Sequence, residues 1–247
     1  MKTFIKKTAR KFGIDIRRIP KEATINTVLP IPEIFFKYHE KEHFSTILDV
    51  GAHIGLISKQ YAEWFPDAQI HSIEPYSQGF NQLIENVASY PNIFTYNLAL
   101  GDQDTHCELF VNKDSVTNSF LPASKGITQV LECDMCENVG KETVTLKTLY
   151  KFIEENKLKK IDLLKIDAQG YEDRILKGAG EFLNPEKIRL IYLEATFIKH
   201  YDAQASFGDL YNVMQSKGYK LYAFYGTWSR QDIGYMWTNA LFVPDCS

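Results

Sequence analysis

The sequence lacks a strongly basic balance, an export signal, a membrane span and a cysteine framework, and each absence removes a class of function. With 28 Lys and Arg against 31 Asp and Glu, the net charge is −3. A protein that grips nucleic acid over its whole surface is normally basic, so that class is set aside. No apolar core of ~7–15 residues follows the N-terminal charges, as a signal peptide requires. No run approaches the ~18 apolar residues of a spanning helix. Only four cysteines are present: Cys107, Cys133, Cys136 and Cys246. Without an export signal they read as reduced thiols of a cytoplasmic protein. Cys133-Asp-Met-Cys136 has the spacing of half a zinc site, but no second C-x-x-C pair completes it. There are no internal repeats or low-complexity tracts.

The charge that is present is uneven. Up to Lys21 the chain carries eight basic residues and one acidic residue, Asp15. Residues 1–30 therefore form a basic N-terminal segment, either a solvated tail or strap on the domain. The alternative is a surface helix, with Phe4, Ile5, Phe12, Ile14 and Ile16 as apolar material, lying against the inner face of a membrane. Residues 31–247 are long enough for one α/β domain.

Within that domain, short β-branched runs alternate with amphipathic stretches. Strands are expected at Thr46–Val50, Gln69–Ile73, Ile93–Leu100, Ile161–Ile166, Ile188–Leu193, Tyr219–Phe224 and Ala240–Val243. Helices are expected at Ile31–Lys41, Ile54–Trp64, Ser77–Tyr90, Thr148–Lys157, Tyr171–Leu176 and Phe207–Ser216. The stretch around 105–146 breaks the alternation and reads as an inserted β-hairpin, too short to bury its own core. The pattern predicts a seven-stranded, mostly parallel sheet with an antiparallel last strand and helices on both faces.

In such sheets a ligand binds beyond the carboxyl ends of the strands, where the strand order reverses. Four expected strands finish at or beside a carboxylate: Asp49, Glu74, Asp167 and Glu194. Acids at strand exits are ordinary turn formers. Four on one edge would repel one another unless something positive lies among them. The first exit reads Asp49-Val-Gly-Ala-His-Ile-Gly55. A pyrophosphate-binding turn would be G-x-G-x-x-G, and His53 stands where its second glycine should be. The carboxylates and His53 disfavour a dinucleotide. S-adenosylmethionine fits better, since it carries a sulfonium, an ammonium and a ribose diol. Gly51 and Gly55 would let its methionine part lie against the turn, and Glu74 could accept from both ribose hydroxyls.

The residues so far, with Ile73-Glu-Pro75, Asn97-Leu-Ala-Leu100, Lys165-Ile-Asp-Ala-Gln-Gly170, Glu172 and Leu176-Lys-Gly-Ala179, resemble the FkbM-type methyltransferases. The resemblance runs from about Thr46 to Val243. It implies a class I, Rossmann-like, S-adenosylmethionine-dependent O-methyltransferase acting on a sugar, glycan or natural-product hydroxyl. Carried onto matching positions, it puts Asp49, Gly51, His53 and Gly55 around the methionine part. Glu74 and Pro75 fall at the ribose, Asn97, Leu98 and Ala99 near adenine, and Asp167 and Gln169 near the transferred methyl group. His53 replaces the family's usual asparagine and Gln169 its usual glutamate, which removes one charge from the crevice.

An alcohol must lose its proton during or after attack on a methyl group. Asp167 is the first candidate base, with Glu194, His200 and His53 as alternatives. Each has a plainer reading: Asp167 as a turn or ammonium ligand, His200 as a loop residue, and Lys165 as the partner of a carboxylate. A divalent ion between Asp167 and Glu194 would also help ionise a hydroxyl, but two carboxylates and a glutamine are a thin ligand set, so no metal ligand is assigned. The acceptor is expected to enter over the insertion and the last loop, where Trp228, Tyr235 and Trp237 offer aromatic faces. Two other readings compete. One is a non-catalytic partner subunit in glycan assembly that keeps a cofactor-binding fold. The other is an NAD-dependent oxidoreductase, disfavoured by His53.

Overall fold

The computed structural model describes residues 33–125 and 134–245. The basic segment 1–30, the expected helix start at Ile31, and Cys133 and Cys246 lie outside the described residues. No helix among the described residues is long and apolar enough to cross a membrane.

The main sheet has seven strands. They are β1 (Thr46–Val50), β2 (Gln69–Ile73), β3 (Ile93–Tyr96), β7 (Ile161–Ile166), β8 (Ile188–Thr196), β9 (Tyr219–Arg230) and β10 (Gly234–Pro244). A smaller sheet holds β4 (Ala99–Gly101), β5 (Thr105–Asn112) and β6 (Asn138–Thr148). The main order is β3-β2-β1-β7-β8-β10-β9. All neighbours from β3 to β8 run parallel, and β10 is antiparallel to both β8 and β9. The strand order therefore reverses between β1 and β7, and the antiparallel last strand falls where the sequence put it.

The helices are α1 (Glu33–Lys41), α2 (Leu56–Trp64), α3 (Ser77–Val87), α4 (Leu149–Glu155), α5 (Glu172–Gly178) and α6 (Phe207–Ser216). They cover both faces because the buried strands alternate. Ile47 and Leu163 face a cluster with Phe35, Tyr61 and Phe65 from the α1–α2 side. Leu48 and Leu164 face the opposite cluster, with Phe152, Ile175 and Met214 from α4, α5 and α6. Each such fully buried side chain contributes roughly 1.5–3 kcal/mol.

Three expected strands came out differently. The strand expected over Ile93–Leu100 is split. Asn97 donates its side-chain amide to the carbonyls of Glu74 (2.9 Å) and Pro75 (3.0 Å), and the chain leaves the main sheet there. Ala99–Gly101 then pairs with β6 in the small sheet. The insertion is indeed built on a hairpin, β5 with β6, and β4 extends it to three strands. The last two strands are also far longer than expected. Trp228, Tyr235 and Trp237 lie in a continuous β9–β10 hairpin, not in a loop. Register shifts at Tyr235/Trp237 and Trp237/Asn239 break the two-residue period, which hides the extension from a pattern search.

Candidate active site

At the reversal point, beyond the ends of β1, β2 and β7, lies a cavity of about 280 Å³. One wall is the β1–α2 turn, Gly51 to Ile57 without Gly55, and another is Glu74 and Pro75 after β2. A third is Asp167, Ala168 and Gln169 after β7, with Lys165 below. Ala99, Leu100, Leu109 and Ile175 make an apolar side, and Ser115, Val116, Asn118 and Phe120 come in from the insertion.

The turn after β1 takes its shape from internal packing. Gly51 (φ +74°) has a backbone that only glycine accommodates here, because a Cβ would sit 1.8 Å from the carbonyl oxygen of Asp167. At Gly55 a Cβ would meet Leu83 at 2.5 Å. Both glycines thus answer to the close approach of neighbouring elements, and Gly55 does not line the cavity. His53 is also left-handed (φ +49°), a conformation that asparagine and histidine tolerate better than most side chains. Its backbone N–H donates to Glu74 Oε2 (2.8 Å) and its Nε2 meets Ser115 Oγ (2.8 Å). His53 therefore links the first turn to both the Glu74 carboxylate and Ser115 of the insertion, which roofs the cavity. Burial holds its imidazole below the ordinary value, against the pull of Asp114 and Asp167.

Glu74 is 6% exposed yet lines the cavity. Oε1 accepts from Tyr76 N–H (2.9 Å). Burial pushes its carboxyl up to about 7, and the two backbone N–H donors only partly counter this. A ligand that presents two hydroxyl donors would favour the ionised form.

The positive charge that the carboxylates require comes from the chain. Lys165 stands in the fully buried β7. Its Nζ lies 3.0 Å from Asp49 Oδ1 and 3.8 Å from Asp167 Oδ2, and it donates to the carbonyl of Gly51 (2.9 Å). Although burial opposes it, Asp49 and Asp167 hold the ammonium above its ordinary value. Asp49 also accepts from Ser58 Oγ (2.6 Å), is wholly buried, and lies beneath the cavity without lining it.

After β7 the chain turns through Gln169 (φ +51°) and Gly170 (φ +96°). Glu172 stabilises the turn by accepting from Ala168 N–H (2.9 Å) and Gly170 N–H (3.3 Å). Burial pushes its carboxyl up to about 7. Gln169 Nε2 donates to Asp167 Oδ1 (2.8 Å) and Glu194 Oε2 (3.3 Å). Desolvation, and then the charge of Asp167, raise Glu194 well above the usual carboxylate range.

Of the residues expected at the site, Gly51, His53, Glu74, Pro75, Ala99, Asp167 and Gln169 line one cavity. Asp49, Gly55, Asn97, Leu98, Glu194 and His200 do not. Asn97 braces the ends of Glu74 and Pro75 from behind. His200 is buried against Trp237, with ring centroids 5.4 Å apart, and burial lowers its imidazole to about 4. The roof residues Ser115, Val116 and Phe120 were missed, because an irregular polar insertion carries no periodic signal.

The donor set does not suit a divalent ion. The space between Asp167 and Glu194 is taken by the Gln169 amide, whose nitrogen must face Asp167 because an amide oxygen there would oppose a carboxylate. Among the described residues no group of three or more His, Cys, Asp or Glu is placed to hold a metal.

A family model described as the methyltransferase FkbM domain matches residues 49–221. The chain belongs to the FkbM methyltransferase family. This family member is 25% identical to Methyltransferase 1 of Beauveria bassiana (strain ARSEF 2860), over 89% of this chain and 87% of that one. It is 25% identical to the 2-O-methyltransferase NoeI of Sinorhizobium fredii (strain NBRC 101917 / NGR234), over 64% of this chain and 66% of that one. Its fold is similar to the crystal structure of methyltransferase FkbM from Methylobacillus flagellatus KT, with a TM-score of 0.50 and 14% identity. That likeness covers 81% of this chain and 43% of that one, so this FkbM member spans less than half the length of the solved chain. The order β3-β2-β1-β7-β8-β10-β9 is the class I methyltransferase fold.

Proposed function

We propose that this methyltransferase uses S-adenosylmethionine to methylate a hydroxyl of a sugar, glycan or natural-product acceptor. The observation that carries the reading is the placing of Glu74 and Asp167 on one cavity at the strand-order reversal. Glu74 would take the ribose diol, and the apolar side with Ala99 and Leu100 would take the adenine. The turn at Gly51 and His53 would take the methionine part. When bound, the cofactor supplies an electrophilic methyl group. The chain's work is to orient an acceptor hydroxyl and receive its proton. Asp167 Oδ1 is engaged by Gln169, while Oδ2 faces Lys165 only at 3.8 Å. Oδ2 is therefore the oxygen that would accept the hydroxyl proton. Lys165 sets a positive charge beside that oxygen.

For the acceptor, the support is an aromatic surface outside the cavity lining, at the carboxyl end of β8, where Trp237 pairs with Thr196. Trp228 is 62% exposed and stacks on Trp237, with centroids 5.2 Å apart and planes 11° from parallel. Tyr235 is 66% exposed and packs against Phe197 at the end of β8. Flat, rigid rings of this kind suit the apolar face of a sugar or a planar polyketide. The printed name of the rhizobial relative, a 2-O-methyltransferase, agrees with transfer to oxygen.

Calorimetry with S-adenosylmethionine, followed by methyl transfer from labelled cofactor to a panel of glycans and hydroxylated natural products, tests the reading. Binding and labelled ether formation are expected, with Asp167→Asn retaining binding and losing turnover. Binding without transfer to any acceptor would favour the non-catalytic alternative.

A further inference from the structure

The side-chain amide of Gln169 does more than line the cavity. It stands between the two carboxylates that could serve as base, donating to Asp167 Oδ1 at 2.8 Å and to Glu194 Oε2 at 3.3 Å. Its own Oε1 lies 3.0 Å from the hydroxyl of Tyr201, which also reaches the carbonyl of Thr117 at 3.0 Å. Tyr201 is almost fully buried, so this partner is fixed. The backbone carbonyl of Gln169 accepts from Ser119 Oγ (2.7 Å). The residue is thus pinned at two points, by Ser119 from the insertion and by Tyr201 from the segment after β8. It is held in a left-handed conformation that an L residue adopts only when its surroundings require it.

We propose that Gln169 is a positioning residue for methyl transfer: its amide, oriented by Tyr201, holds Asp167 with Oδ2 turned to the acceptor and insulates it from Glu194. The proposal rests on Asp167 being the base. Two carboxylates this near cannot both ionise freely without a donor between them. Gln169 supplies that donor as a neutral group. Asp167 is also faced by Lys165 from β7, Glu172 from α5, His53 from the first turn and Tyr192 from β8. None of these reaches Oδ1 in place of Gln169. The amide leaves Asp167 as the group that takes the proton and Glu194 as a carboxyl that keeps its own.

Gln169→Met keeps length and backbone demands but removes the donor. Carbon-13 NMR titration of the side-chain carboxyls in the ligand-free protein, assigned with Asp167→Asn and Glu194→Gln, reads the effect without cofactor or acceptor. The midpoint of Asp167 is expected to rise by about one pH unit in Gln169→Met, because a donor to the charged form is lost. Tyr201→Phe is expected to move it by less in the same direction. With an acceptor from the panel, the acid limb of kcat/KM should move upward by the same amount. An unmoved Asp167 midpoint in both folded variants would overturn the proposal. So would a loss of turnover equal at all pH values, which marks a merely structural role. If Asp167 titrates as expected but the protein binds no S-adenosylmethionine, the proposed function fails while the Gln169–Asp167 link stands.

Discussion

The two flanks of the sheet are held by different forces. On the β1–β2–β7 flank the shape is set by buried polar contacts: Asp49 with Lys165, Ser58 with Asp49, and His53 with Glu74. On the β8–β10 flank, which contributes no residue to the cavity lining, it is set by aromatic rings, several of them open to solvent. Buried polar networks have one satisfied arrangement and tolerate little change. Exposed ring surfaces bind by area and tolerate variation. On the proposed function, the first flank would hold the cofactor and the second would meet the acceptor.

The largest test of this contrast is Lys165→Met. It leaves Asp49 charged and buried with its partner gone, at a cost of roughly 3–5 kcal/mol. Urea denaturation should show that loss, and calorimetry should show no S-adenosylmethionine binding. A variant within about 1 kcal/mol of the natural chain would mean that the polar flank is not held by this pair.

Glu74→Gln should weaken S-adenosylmethionine about 10- to 100-fold, the loss of a hydrogen bond to a charged group. Glu74 also gives the flank a pH dependence. Its carboxyl is raised to about 7 in the folded chain, so the folded protein keeps a proton that the unfolded chain has already lost. Its contribution to stability is thus present below the ordinary carboxylate range and is lost as pH rises through about 7. Binding to the carboxylate has the opposite sign and weakens as pH falls below 7. The thermal shift produced by S-adenosylmethionine should therefore be larger at pH 8 than at pH 6, and Glu74→Gln should remove that difference.

On the other flank, Trp228→Ala should raise the acceptor KM several-fold, for a loss of about 0.5–1.5 kcal/mol, with cofactor affinity unchanged. A weaker cofactor would show that the flanks are not separable. The smallest effect is expected where the polar flank meets the insertion. His53→Asn keeps the left-handed turn but is too short to reach Ser115. About 1 kcal/mol of roof attachment should go, seen as roughly fivefold faster amide exchange over residues 109–120.

Much of the polar flank was legible in the chain. Its residues sit at strand ends, and strand ends are marked by β-branched runs that stop at Asp49, Glu74 and Asp167. The requirement for a positive charge among them was readable too, and so was Lys165 as the partner of a carboxylate, though not which one. Lys165 looks like an interruption in an apolar strand until β1 and β7 pair and set Asp49 opposite it. The aromatic flank was harder to read. Bulges in β9–β10 erase the alternation, and Trp228, Tyr235 and Trp237 passed for loop residues.

The sequence by itself determined the succession of strands and helices, the mostly parallel sheet and the identity of the strand-end acids, because these depend on local periodicity and on short chain connections. Only the tertiary structure decided what lies between those acids. That Lys165 neutralises Asp49, that Gln169 separates Asp167 from Glu194, and that the insertion roofs the cavity through Ser115 all depend on residues tens of positions apart. Such contacts are set by how sheet, turn and insertion pack, and no period in the chain encodes them.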